Sequence, residues 1–425
     1  MKGEVGLTGL NHCLSDYKDC WAHVDINSYF ATLIQQENPA LRGQPVGIVK
    51  ESGRTCIIAA SKEAKLLGVS TGSRKDEALL LAPNIRLIPA QFDFYLDATR
   101  RLKRLFESLS PEVQIFSLDE AFINLTSCKY LYRDTHTFGT LVQTKIKQEL
   151  GEWVTANVGI SWNRFLAKIA GETGPKGSIT SINQENLDYK LATTKFTDVS
   201  GVGYRLEKRL KAIGIENLYQ IKLFSNQELE KHLGPFWSKQ LRKMSFGEEP
   251  NLFEHIDSNP HMKSVGRSIT GYKLCNNETE IKQILYNLVL ETASKARSMG
   301  LAGRQISVYL SGEGRYWFSH VTLPSYVNQN KEVFELVYHY LYKKWQRSFL
   351  VIKFGVRLSL LKPETQINQP LWPTWHKQRY LEKAVDELAQ KYGLFTVRPA
   401  SLLNGQLIRP EVTGFLGDKS FQLGS

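Results

Sequence analysis

The chain has 425 residues, 42% hydrophobic and 23% charged, which suits two to four domains with their own cores and excludes a disordered tail or a disulfide miniprotein. No apolar run approaches the ~20 residues needed to cross a bilayer, so no membrane role is expected. Lys and Arg number 54 against 42 for Asp and Glu, and the formal charge of +12 favours a polyanionic partner. The five cysteines, Cys13, Cys20, Cys56, Cys128 and Cys275, are scattered and form no C-x-x-C pair, which fits a reducing, cytoplasmic compartment.

Residues 1–20 lack the apolar centre of a secretory signal and read as a loose N-terminal extension. Trp21–Ile26 reads as a short apolar strand, followed by a small insertion between about Tyr29 and Pro89. A helix over Phe94–Leu109 precedes strands Val113–Ser117 and Glu120–Leu125, which turn about Leu118 and Asp119. Helix Thr137–Gly151, strand Val154–Ile160 and helix Asn163–Glu172 complete a mixed α+β domain.

Gly201 and Gly203 then open a basic helix, Arg205–Ile213, that ends in a second Gly-Ile turn at Gly214 and Ile215. This is the helix–hairpin–helix pattern, in which a glycine turn frees backbone N–H groups to hold a DNA phosphate without reading bases. From His261 to Lys362 there are 15 Lys or Arg against six Glu and no Asp, so about three quarters of the excess charge lies in one quarter of the chain. The periodicities there give strand Ser264–Leu274, helix Glu278–Met299, strands Arg304–Ser311 and Arg315–Val321, helix Asn328–Trp345 and strand Phe354–Leu361. That order, β-α-β-β-α-β, is a ferredoxin-like split unit, and its charge suits a sheet laid on a phosphate backbone. A last helix is expected over Arg379–Lys391.

Asp25 ends the first strand, and Asp119 and Glu120 sit at the tip of the strand pair. If these strands are neighbours, three carboxylates converge, and their repulsion is relieved by hard divalent cations, Mg²⁺ or Mn²⁺ rather than zinc. Two such ions can activate an attacking oxygen and stabilise a leaving one in phosphoryl transfer. On spacing alone, a helix cap at Asp25 and an ordinary turn at Asp119 and Glu120 account for the same residues.

The segments His23–Ala31, Ala60–Val69, Ser117–Phe122 and Gly159–Ala170 resemble, in order and spacing, the blocks of the Y-family translesion DNA polymerases. Within that family the chain looks bacterial, between the polymerase IV type and the catalytic subunit of polymerase V, with Cys56–Lys65 leaning toward the latter. The resemblance implies an α+β multidomain, right-hand polymerase. Its ferredoxin-like palm would span 21–28 and 92–186, its small fingers 29–91 and its helix–hairpin–helix thumb 187–250. A linker at 251–260, a β-α-β-β-α-β little finger at 261–362 and a C-terminal tail at 363–425 would follow.

The same resemblance implies roles. Asp25 and Asp119 would bridge two metals, Glu120 would hold the one near the primer 3′-hydroxyl, and the Ile26 carbonyl would complete a shell. The backbone N–H groups from Asn27 through Ser28 and Tyr29 to Phe30 would face the triphosphate, with Phe30 as the steric gate against a ribose 2′-hydroxyl. Lys62 and Lys65 stand where many members carry Tyr and Arg, which keeps charge but loses Arg's bidentate fork; Lys176 would stand in for a later Lys by a one-residue shift. Ser61, with Ala59 and Ala60, would lie by the nucleotide and its templating base. Gly201, Gly203, Arg205, Lys263, Arg267 and Arg304 are the expected DNA contacts, and Gln369, Leu371 and Trp372 an imperfect sliding-clamp peptide. Implied partners are primer–template DNA, deoxynucleoside triphosphates, the clamp and an accessory protein of the polymerase V type. A non-catalytic repair scaffold and a nucleotide cyclase are the competing classes. The complete set of carboxylates disfavours the first, and the thumb-like and basic modules disfavour the second.

Overall fold

The computed structural model describes residues 12–50, 56–256, 262–368, 373–393 and 395–402, and the chain divides into two compact units at Pro260/His261. The first unit is built on a five-stranded sheet. Its strands are β1 (Trp21–Ile26), β5 (Glu112–Ile115), β6 (Glu120–Asn124), β7 (Ala156–Ser161) and β8 (Ile179–Ser181), in the order β5-β6-β1-β7-β8. Strand β1 is central and antiparallel to both neighbours, so both its edges are hydrogen-bonded. Ala22, Val24 and Ile26 join a core with Leu102 and Phe106 of helix Phe92–Glu107 and Phe138 and Val142 of helix Thr135–Leu150. The opposite parity, Trp21, His23 and Asp25, faces helix Arg164–Thr173. That helix sits unusually close to the sheet. A Cβ on Gly159, the partner of His23 in β7, would lie 2.1 Å from the Ala167 carbonyl oxygen, so only glycine admits it.

The segment between β1 and β5 carries a three-stranded sheet of β2 (Val46–Val49), β3 (Ile57–Ala60) and β4 (Arg86–Pro89), with a small core around Ala64, Val69, Ala78 and Ile85. Helices Leu187–Thr193, Tyr204–Ala212, Asn226–Leu233 and Pro235–Ser245 share a third core with Phe122 and Phe165. Trp162 and Asn163 both donate to the Gly247 carbonyl, at 3.1 and 2.8 Å, and Arg164 pairs with Glu249, which anchors the end of this helical region to the sheet domain. The expectation of a loose extension fails for residues 12–20. Leu14, Tyr17 and Cys20 are buried, and Lys129 donates to the carbonyls of Tyr17 and Lys18.

The second unit has strands β9 (Ser264–Cys275), β10 (Leu301–Gly312), β11 (Arg315–Val327) and β12 (Val351–Pro363), with helices on one face of the sheet. The element order is β-α-β-β-α-β, and the sheet order β11-β10-β12-β9 shows that the last strand is the one inserted between the first two. Helix Glu278–Ser298 is regular, whereas the second helical stretch changes to π geometry over Leu336–Leu341. There Phe334, Tyr338 and Tyr342 stack ring on ring, at 5.7 and 5.3 Å. Helix Pro373–Tyr392 is part of this unit, because Arg297 binds Asp386 at 2.6 Å and reaches Glu382 at 3.5 Å. No helix among the described residues is long and apolar enough to cross a membrane.

Candidate active site

Antiparallel pairing of β1 with β6 sets Asp25 directly opposite Glu120, and the Ile26 N–H donates to the Asp119 carbonyl at 2.9 Å. The backbone therefore brings the three acidic residues to one strand end. Burial pushes the Asp25 carboxyl up to about 7, the charge of Asp119 adds to the rise, and Lys176 opposes it. Burial also raises Asp119, against the Ser117 hydroxyl that donates to its Oδ1. Glu120 moves the other way. Burial would raise it, but the hydrogen bond from His23 at 2.9 Å and the charge of Lys168 hold it at about 2.

Lys168 reaches Glu120 because Gly159 admits its helix against the sheet, and it also pairs with Glu172 at 2.9 Å. His23 is wholly buried, which lowers its pKa; as a neutral ring it donates through Nε2 to the ionised Glu120, and its Nδ1 has no partner. The expected convergence of three carboxylates is thus realised in the backbone but not in the side chains. Glu120 is turned onto Lys168 and His23, and no three His, Cys, Asp or Glu side chains among the described residues stand ready to hold a metal. Asp25 and Asp119 nonetheless form an oxygen-only pair under mutual repulsion, a donor set suited to a hard divalent cation.

Beside the carboxylates, Ser28 adopts a left-handed conformation (φ 50°) and starts helix Tyr29–Glu37, whose first internal bond runs from Thr32 N–H to the Ser28 carbonyl. The amides of Tyr29 and Phe30 precede that bond and have no helical partner. Asn27 differs from expectation: its N–H donates to the Thr155 carbonyl at 2.9 Å, so it is not free for a phosphate. The Tyr29 side chain is buried and its hydroxyl donates to the Tyr95 carbonyl at 2.8 Å, which leaves only its amide for a ligand. Phe30 is half-buried and lies flat on Tyr95, ring centroids 4.3 Å apart, with Phe92 edge-on at 6.0 Å.

Lys65 donates to Ser28 Oγ at 2.8 Å, and burial followed by the charge of Lys176 lowers its pKa. Lys62 and Lys176 are exposed. Ser61 is not available to a nucleotide: it is fully buried, and its Oγ accepts from Val46 and Ala64 as the cap of helix Lys62–Leu66.

Gly201 has φ +91°, and Gly203 caps helix Tyr204–Ala212, on which Arg205 is exposed. In the second unit Lys263 and Arg304 are exposed. Arg267 is not: it is 7% exposed, on the core side of the sheet, paired with buried Glu291. Its strand neighbours Val265 and Ile269 are apolar and of the same parity, a sequence signal for that inward face. Gln369, Leu371 and Trp372 lie outside the described residues. His23, Arg164 and Lys168 were inside the motif segments without an assigned role, since nothing in one sequence says which neighbours a buried cation meets.

Residues 24–172 match the impB/mucB/samB family and residues 262–371 match that family's C-terminal domain. Two curated relatives are both named DNA polymerase IV. The protein from Moorella thermoacetica is 29% identical over 90% of this chain and 95% of its own length, and that from Pelotomaculum thermopropionicum is 27% identical over 91% and 96%. Among solved structures, the Y-family DNA polymerase chimera Dbh-Dpo4(243-245)-Dbh superposes with a TM-score of 0.67 at 23% identity, over 82% of this chain and all of that one. An insertion ternary complex of Dbh DNA polymerase gives 0.51 at 22% identity, over 80% and 98%. The chain belongs to the impB/mucB/samB family.

Proposed function

We propose that the chain is a template-directed DNA polymerase that adds deoxynucleotides by metal-assisted phosphoryl transfer and copies past damaged bases. The observation that carries this reading is the pairing of Asp25 with Glu120 beside the free amides of Tyr29 and Phe30 and the cation Lys65. Asp25, Asp119, the Ile26 carbonyl and Glu120 are the residues to hold two Mg²⁺ ions, with Mn²⁺ as a substitute; when bound, these activate a primer hydroxyl and neutralise the leaving pyrophosphate. Glu120 first has to leave Lys168.

The amides of Tyr29 and Phe30, with Lys65 and Lys176, orient the triphosphate. Phe30, backed by Tyr95 and Phe92, occupies the space of a ribose 2′-hydroxyl. In this reading the five-stranded sheet domain is the palm, residues 29–91 the fingers and 187–250 the thumb. The thumb holds DNA phosphate at the turn from Gly201 to Gly203 and at Arg205. Residues 261–362 are the little finger, with Lys263 and Arg304 among its contacts, and Gln369, Leu371 and Trp372 dock on a sliding clamp.

Extension of a labelled primer by the purified chain tests the reading. Product that follows the template, including across an abasic site, supports it; no template-dependent product contradicts it.

A further inference from the structure

The open face of the four-stranded sheet in the second unit is not simply basic. Register places Ser311, Tyr316, Lys353 and Thr270 in one row, Tyr309, Phe318, Gly355 and Ser268 in the next, and Ser307, His320, Arg357 and Gly266 in a third. Residues directly opposite in antiparallel strands share a face, so four aromatic or imidazole rings and two cations lie together with no carboxylate among these rows. The apolar residues between them, such as Ile306, Val308, Val356 and Leu358, form the core on the other face.

The rings are held in place. A Cβ on Gly355 would come within 1.9 Å of the Tyr309 ring, so that ring lies flat on the strand backbone. Tyr316 stacks beside it at 6.2 Å, and His320 lies 5.7 Å from Phe318. Tyr316 is 65% and Phe318 50% exposed, on the edge strand β11. Edge strands usually carry charges rather than exposed aromatics, because a bare apolar edge invites aggregation. The cations and hydroxyls of these rows suit the phosphates of either form of DNA, but a duplex offers no free base faces to the rings.

We infer that this face is a stacking platform for unpaired nucleotides, on which Tyr316 and Phe318 hold bases while Lys353 and Arg357 hold the flanking phosphates. Aromatic rings on an open four-stranded sheet are suited to this because every base has a π face, and stacking therefore tolerates any sequence. The inference rests on the reading of this unit as a DNA-binding module and adds that it holds single strands as well as duplex.

The test is binding of the full chain to a fluorescein-labelled oligo-dT of about 12 nucleotides and to a duplex of the same length. The Tyr316→Ala/Phe318→Ala variant should lose at least about tenfold in oligo-dT affinity and change less than about twofold on duplex, since each stacked base contributes substantially and the rings do not support the core. Phe318→Trp, which keeps a larger ring, should retain oligo-dT binding. Lys353→Ala/Arg357→Ala should weaken both and shallow the salt dependence of each. Oligo-dT affinity that survives loss of both rings overturns the stacking proposal. Duplex affinity and salt slope unaltered by loss of both cations contradict the reading of the face as a phosphate surface instead.

Discussion

Lys65 donates from Nζ to Ser28 Oγ at 2.8 Å, tying the helix Lys62–Leu66 to the left-handed residue that opens the helix beside the carboxylates. Asp25 and Asp119 both act on its charge, so the ammonium stands in the field of the proposed metal site. A triphosphate oxygen is a stronger acceptor than a hydroxyl and should take Lys65 from Ser28. Lys65→Ala should lower kcat/KM for deoxynucleotides roughly 10- to 100-fold, the equivalent of about 1.5–3 kcal/mol for a hydrogen bond to a charged group, while primer–template affinity stays within about twofold. Steady-state kinetics checks this, and an unchanged kcat/KM would remove Lys65 from the nucleotide site.

Phe30 is wedged between the face of Tyr95 and the edge of Phe92, which denies it the freedom to swing aside for a bulkier sugar. Phe30→Ala should raise the ratio of ribonucleotide to deoxyribonucleotide incorporation by at least about 100-fold, since exclusion by volume disappears with the ring. An unaltered ratio would make Phe30 a packing residue of the Tyr95 cluster.

Glu120 is held ionised by the His23 hydrogen bond and the Lys168 charge, and Lys168→Met leaves that carboxylate without its cation. At 12% side-chain exposure for Glu120, the loss should be about 2–3 kcal/mol in metal-free buffer, measured by urea unfolding. Mg²⁺ should then stabilise the variant more than the parent, because a ligand at free concentration L that binds only the folded state adds RT ln(1 + L/Kd), which rises as the freed carboxylate binds the ion more tightly. Equal stabilisation of both by Mg²⁺ would separate Glu120 from the metal site.

Arg164 is buried beneath Trp21 and joins Glu249 to Gln114, whose Oε1 accepts from it at 2.9 Å. Glu249→Ala should cost about 2 kcal/mol, seen as a lower urea midpoint at constant slope, because it strands a buried guanidinium. A midpoint within error of the parent would mean that Trp162 and Asn163 suffice to anchor Gly247.

Strand β1 was legible because an apolar run ends abruptly at Asp25, and the carboxylates were legible because their types and positions at strand ends need no knowledge of the third dimension. The helix–hairpin–helix turn showed through its glycines, which the chain needs where φ is positive at Gly201. Side-chain destinations were less accessible. Arg267 looked like one more surface cation, although its apolar neighbours two residues away on either side already placed it inward. Leu14 and Tyr17, three residues apart, likewise carried the signal of a docked turn that the polar residues around them obscured. The partnership of Lys168 with Glu120 had no such signal, since it depends on how closely Gly159 lets a helix approach.

Primer extension by Asp119→Ala, run beside primer–template binding of the same variant, tests the central claim most directly. Asp119 lies next to Asp25 through the Ile26 bond, whereas most DNA affinity is expected from phosphate contacts elsewhere on the chain. The account predicts that Mg²⁺-dependent extension falls by at least about 1,000-fold while DNA affinity stays within a few-fold. Extension near the parent rate with intact binding would contradict it.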